Sequence, residues 1–170
     1  TLITDDYILS YNLGAISDPT CWGYCNGQIQ IIPNGGSPSL TPNGPVYNYQ
    51  WDDDLQQTSQ TAYGLCVDNI NNLDSWTCVI TDALGCTITT NPISLTQPDK
   101  VEVVASQIDY ISCYGDSDAS MQASSSGGSS PYDYLWNTGD LGSLLNNQPS
   151  GFYVVVATDV NGCMDTTDIS

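Results

Sequence analysis

The chain has 170 residues, one cation (Lys100), no histidine and 19 acidic residues, for a formal charge of −18. Such a chain cannot neutralise phosphates, which excludes nucleic acid and disfavours anionic lipid surfaces. It lacks the histidine of a serine or cysteine triad, and no run approaches the ~18 apolar residues of a membrane span, so direct membrane insertion is not expected. Seven cysteines in a chain rich in Thr, Ser, Asn and Gly point to an oxidising, extracellular compartment. A cytosolic metal protein would want close CxxC pairs or histidine partners.

Taken in chain order, Thr1 opens in mid-strand with no charged-then-apolar start of a signal peptide, so the chain reads as a window cut from something longer. Residues 1–16 read as the last strand of a preceding repeat, over residues 1–4, and a linker. Cys21-Trp22-Gly23 follows near the start of a first module, 17–98. Gln28-Ile29-Gln30-Ile31 alternates with period 2, as do Tyr47-Asn48-Tyr49-Gln50-Trp51 and Trp76-Thr77-Cys78-Val79-Ile80, which predicts strands. Thr81-Asp82-Ala83-Leu84-Gly85-Cys86 reads as a turn, and Ile93 to Pro98 closes the module. Val101 to Val104 opens a second module, 99–170. Gly, Pro, Asn and Asp clusters punctuate the chain at roughly 8 to 12 residue intervals, the spacing of short sandwich strands. Leu141 to Leu145 comes nearest to a helical period and is too short.

Self-similarity organises these elements. Cys21-Trp22-Gly23 recurs as Cys113-Tyr114-Gly115, and Gly35-Gly36 as Gly127-Gly128, both 92 residues further on. Tyr47 to Trp51 recurs as Tyr132-Asp133-Tyr134-Leu135-Trp136, 85 residues on. Thr81 to Cys86 recurs as Thr158-Asp159-Val160-Asn161-Gly162-Cys163, 77 residues on. The first copy is thus longer by 7 residues before the Tyr-x-Tyr-x-Trp strand and by 8 after it.

The series Cys-x-Gly, Gly-Gly, Tyr-x-Tyr-x-Trp, Gly-x-Tyr-x-Val-x-Val and Asp-x-x-Gly-Cys, closed by Thr-Gln-Pro, resembles the SprB-type repeat of giant Bacteroidetes cell-surface proteins. In the second copy it reads Cys113, Gly115, Gly127-Gly128, Pro131 to Trp136, Gly139, Gly151-Phe152-Tyr153 and Asp159 to Cys163. The first copy is looser, with Trp76 in place of the Tyr and Asp74 in place of the Gly. The resemblance implies an all-β chain of tandem immunoglobulin-like or PKD-like β-sandwich repeats. It also implies export by the type IX system and display on the bacterial cell surface, as a stalk or adhesin of the gliding-motility type. Expected partners are neighbouring repeats of the same chain, surface glycans or other copies of the protein. The alternatives are a glycan-binding accessory module of a secreted hydrolase and a subunit of a self-assembling extracellular filament.

The repeated cysteines pair within each copy as Cys21–Cys86 and Cys113–Cys163. If the topology is plain immunoglobulin, the two turns lie at opposite ends of a strand and a bridge cannot span them; the staple then runs between copies, for example as Cys21–Cys163. Cys66 and Cys78 flank Asn69-Ile70-Asn71-Asn72 and are candidates to bridge adjacent strands. Cys25 shares parity with Ile29 and Ile31, which makes Cys25–Cys78 a rival; otherwise Cys25 is the unpaired thiol.

No cofactor is expected. Asp52-Asp53-Asp54 and Asp116-Ser117-Asp118 are candidate oxygen ligands for Ca²⁺, but neither matches an EF-hand loop and a solvated turn is the plainer reading. Paired carboxylates could serve a glycosidase only with a cleft, which small sandwiches rarely form. Trp22 and Tyr24 stand in a loop as candidates for an exposed contact. Asp165-Thr166-Thr167 resembles the Bacteroidetes O-glycosylation site, with Thr166 as acceptor. No catalytic residue is expected.

Overall fold

A computed structural model describes residues 8–42, 44–67 and 74–170. The described residues form sixteen strands, and no helix among them is long and apolar enough to cross a membrane. The chain divides into two units. Unit 1 runs to Pro19 and resumes over Gly23–Gln97; unit 2 comprises Thr20–Trp22 and Pro98–Ser170.

Unit 2 shows the frame in its simplest form. β11 (Glu102–Asp109), β12 (Ala119–Ser126) and β14 (Leu144–Gln148) make one sheet in the order β11-β12-β14. The other sheet is β13 (Tyr132–Trp136), β15 (Tyr153–Asp159) and β16 (Met164–Ile169), in the order β13-β15-β16. Every pairing is antiparallel. This is the A-B-E and C-F-G strand order of an immunoglobulin-like sandwich. Alternation places Tyr153, Val155, Ala157 and Asp159 of β15 inward. The first three meet Val103, Met121, Ala123, Trp136 and Leu145 in one core. Tyr153 sits at the start of its strand and donates its hydroxyl to the Pro149 carbonyl at 2.7 Å, the corner bond that a buried phenol of this fold needs.

Unit 1 repeats the frame. β1 (Ser10–Ser17), β2 (Gly27–Asn34) and β6 (Thr61–Leu65) form the first sheet. The second holds β5 (Asn48–Trp51), β8 (Cys78–Thr81) and β9 (Thr87–Thr89). Short strands β7 (Ser75–Trp76) and β10 (Ile93–Ser94) pair with each other. The extra residues between Gly36 and Tyr47 form a hairpin of β3 (Ser39–Thr41) and β4 (Gly44–Val46). Ile29, Ile31, Trp51, Ala62, Cys78 and Ile80 are at the centre of the core, each at most 1 % exposed. Trp51 and Trp136 satisfy their indole N–H in the same way, on the Ser59 carbonyl at 2.8 Å and the Gly142 carbonyl at 3.0 Å.

One expected boundary is corrected. Residues 1–16 were assigned to a preceding repeat and its linker, yet Ser10–Ser17 is the first strand of unit 1, paired from Ser10↔Asn34 to Ser17↔Gln28. It is the counterpart of β11, 92 residues on. Its Leu13–Ile16 bulge, with Gly14 inside, breaks the alternation that would have marked it as a strand. The strand expected over residues 1–4 lies outside the described residues.

Candidate functional site: the cysteine and aspartate turns

The repeated landmarks converge on one structure in each unit. Asp159 ends β15 on its inward face, 5 % exposed, and a carboxylate there must be hydrogen-bonded. Its Oδ1 accepts the amides of Asn161 (2.9 Å) and Cys163 (2.8 Å), and its Oδ2 accepts the amide of Ser129 (2.8 Å). Asp82 does the same in unit 1, with Leu84 (3.0 Å), Cys86 (2.9 Å) and Ser37 (2.9 Å). Each carboxylate therefore folds its own turn and clamps the loop that follows the Gly-Gly pair. Tyr47 donates to the Gly35 carbonyl at 2.8 Å, and Tyr132 to that of Gly127.

Glycine is required at the clamp. Gly36 and Gly128 have φ of +65° and +55°, and a Cβ on either would press on the clamping carboxylate, 3.1 Å from Asp82 Oδ2 or 2.7 Å from Asp159 Oδ2. The Ser37 amide, joined by those of Cys86, Leu84 and Gly85, holds the Asp82 carboxyl below the usual carboxylate range against an opposing push from burial. Burial pushes Asp159 up, and the amides of Ser129, Cys163, Asn161 and Gly162 outweigh it, so this carboxyl also titrates low. In sequence these aspartates show only as repeat markers; the signal of their role is their recurrence before x-x-Gly-Cys.

The repeated cysteines do not pair within copies. Cys21 is bonded to Cys163, with 5.6 Å between Cα atoms, and Cys25 to Cys66, with 4.1 Å. Cys78, Cys86 and Cys113 are free thiols. The expected Cys21–Cys86 and Cys113–Cys163 bridges are thus corrected in favour of the inter-copy alternative, Cys21–Cys163, and strand direction explains why. In unit 2 the turn after β11 and the turn after β15 lie at opposite ends of the sandwich. The eight residues of β12 reach about 26 Å at ~3.3 Å per residue, whereas a disulfide joins Cα atoms within about 7 Å. Cys163 instead meets Cys21 of the segment Thr20–Trp22, which folds with unit 2, and the two sulfurs lie in a cluster with Val101, Tyr132 packing against it.

Two further assignments change. The sequence makes Cys25 the unpaired thiol or the partner of Cys78, and Cys66 the partner of Cys78; the structure joins Cys25 to Cys66 instead. The β2–β6 register Gly27↔Leu65 brings Cys25 and Cys66 together just beyond the paired residues. Cys78 lies opposite Trp51, fully buried. Burial first, with the charge of Asp52 adding to it, pushes its thiol up to about 11 despite a hydrogen bond with the Gln50 backbone. It behaves as a core hydrophobe. The Asn69-Ile70-Asn71-Asn72 turn expected between Cys66 and Cys78 lies outside the described residues.

The Ca²⁺ candidates serve local turns. Asp52 accepts the amide and the hydroxyl of Thr77, both at 2.8 Å. Asp53, 5 % exposed, accepts the amides of Leu55 (3.2 Å) and Gln57 (2.9 Å) and the Gln57 side chain (2.9 Å). Asp54 points to solvent. Asp116 and Asp118 hold Ser112, and the Ser112 hydroxyl and amide keep Asp118 below the usual carboxylate range. Among the described residues no three His, Cys, Asp or Glu side chains converge as metal ligands would. Trp22 and Tyr24 are 50 % and 53 % exposed, and Thr166 lies on the exposed face of β16.

Residues 105–141, within unit 2, match the family model of the SprB repeat. Among solved structures the chain is similar to the three N-terminal domains of the bacteriophage RB49 Highly Immunogenic Outer Capsid protein (Hoc), with 14 % identity over 94 % of this chain and a TM-score of 0.49; it spans 58 % of that chain. It is similar to the amphioxus IgVJ-C2 molecule, with 12 % identity over 94 % of each chain and a TM-score of 0.35. It is also similar to the fibronectin(III)-like modules of Clostridium thermocellum CbhA, with 12 % identity over 94 % of this chain and 91 % of that one, and a TM-score of 0.36. No curated protein matches the sequence.

Proposed function

We propose, from the SprB repeat at residues 105–141, that this chain is a non-catalytic segment of a secreted, surface-displayed repeat protein, a stalk or adhesin of the gliding-motility type exported by the type IX system. The observation that carries the reading is the recurrence of one hydrogen-bonded frame in both units. Asp82 and Asp159, the Gly-Gly pairs, Tyr47 and Tyr132, and Trp51 and Trp136 take the same bonds twice. The repeated residues are thus spent on building the module, as in arrays whose task is reach rather than chemistry. Two disulfides fit an oxidising exterior. A charge of −18 favours solubility and self-repulsion over binding to anionic surfaces.

Antibodies against this chain, applied to intact cells of the producing species, test the reading. Labelling without permeabilisation is expected, as is movement along the cell of latex beads coated with the antibody. Labelling that needs permeabilised cells would overturn surface display. Beads that bind and stay still would keep display and remove the motility part.

A further inference from the structure

Cys86 and Cys113 are free and exposed, and the repeat gives each a counterpart that is bonded. Cys113 stands in the second copy where Cys21 stands in the first; Cys86 stands in the first copy where Cys163 stands in the second. Cys21 and Cys163 are joined to each other. We propose that Cys113 and Cys86 are the two complementary halves of this same bridge, each completed by another repeat. Cys113 takes the cysteine of the Asp-x-x-Gly-Cys turn in the following repeat, and Cys86 takes the cysteine of the Cys-x-Gly turn in the preceding one. The inference rests on the array reading above and names the partner of each exposed sulfur.

The local geometry supports it independently of the sequence count. The turn that presents Cys163 is reproduced around Cys86 bond for bond. Asp82 Oδ1 holds the Cys86 amide at 2.9 Å as Asp159 Oδ1 holds that of Cys163 at 2.8 Å. Leu9 borders Gly36 as Val101 borders Gly128, and Tyr47 takes the place of Tyr132. Where the visiting Cys21 is bonded, Val101 is 3 % and Cys163 6 % exposed. In unit 1 Leu9 at the same wall is half-buried and Cys86 is exposed, while Tyr47 keeps the half-burial of Tyr132. On the other side, Cys113 sits in a turn already tied down. The Asp116 amide donates to the Cys113 carbonyl at 3.0 Å, and Ser112 is held by Asp116 and Asp118. Tyr114 beside it is fully exposed, so the turn projects its sulfur to solvent.

The chemistry is a thiol–disulfide exchange. Two thiols become one disulfide and give up two protons and two electrons, which reduce one molecule of a disulfide donor, a small molecule or an oxidoreductase, to its dithiol form. Cys78 takes no part, because its buried thiol is scarcely ionised at neutral pH.

The chain carries both halves, so second copies of it are the probe. The purified chain is oxidised with glutathione disulfide and its bridges are mapped by mass spectrometry without reduction. The expected result is a ladder of disulfide-linked multimers joined by Cys113–Cys86. The ladder is lost in Cys86→Ser and in Cys113→Ser, and mixing the two variants restores a single linked dimer. Dominant symmetric Cys113–Cys113 or Cys86–Cys86 links would overturn the proposal. So would two thiols that stay open to alkylation, or the absence of Cys21–Cys163 from the same digest. If antibodies label intact cells while Cys86 and Cys113 remain thiols, this inference falls and the surface reading stands; if labelling fails, the surface reading falls whatever the digest shows.

Discussion

In unit 2 the turn after β15 ends in Cys163, bonded to Cys21 and buried beside Val101. In unit 1 the corresponding turn ends in an exposed Cys86, and the sulfur bridge lies elsewhere, between Cys25 and Cys66. Around these differences the Asp, Gly-Gly, Tyr and Trp contacts are the same. The comparison separates two kinds of repeated residue. Those that satisfy a buried polar group are kept in both units, since removing one strands its partner without a bond. The bridged cysteines add covalent closure beyond the two main sandwich cores, so their pairing can move while the sandwich stays. The enlarged unit carries both an extra hairpin and a bridge of its own, from the β2 side of the first sheet to the end of β6.

Removing the longer bridge should separate the units most. Its sequence separation of 142 corresponds to on the order of 5 kcal/mol of loop-closure entropy. Cys163→Ser is expected to lower hydrogen-exchange protection in β15 and β16 well before β2 and β8. Equal loss in all four strands would show that the bridge is not private to unit 2. The shorter bridge, with a separation of 41, corresponds to about 4 kcal/mol. Replacing Cys25 and Cys66 together by serine should move the urea midpoint of unit 1, read from β2 and β6, and leave β12 and β14 in place. The smallest effect, and the one the units should share, comes from acid. Asp82 and Asp159 both titrate below their ordinary range when folded. Their contribution is therefore present above the unfolded value, near 3.8, and is lost as pH falls through the folded one. Urea midpoints measured from about pH 5 down to pH 2 should fall in both units over the same window. Asp82→Asn should flatten the slope for unit 1 alone, and Asp159→Asn for unit 2 alone. A slope unchanged by both would assign the acid sensitivity to other carboxylates.

The sandwich was readable from sequence because its strands alternate and its landmarks recur. Ile29 and Ile31, or Tyr47 to Trp51, declare an inward face without knowledge of any partner. β12, Ala-Ser-Met-Gln-Ala-Ser-Ser-Ser, carries almost no such signal, and only its place 92 residues after β2 marks it. β1 was assigned to the wrong module because its bulge and Gly14 hide the alternation. Cys21–Cys163 was readable only as the alternative that a plain immunoglobulin topology requires, because pairing depends on which ends of which strands coincide. Cys25 and Cys66 meet only through the β2–β6 register, a contact between strands that are not consecutive. Asp82 and Asp159 were visible as residues but not as clamps, since the amides they bind at Ser37 and Ser129 lie 45 and 30 positions away.

Thr20–Trp22 folds with unit 2 although it is written inside the first copy. The span that recurs in sequence and the span that folds as a body are therefore out of phase. Each copy holds one sulfur of each kind, so under the bridging proposed above any whole number of copies leaves every internal bridge matched. A cut at the apparent seam near residue 98 would part Cys163 from Cys21.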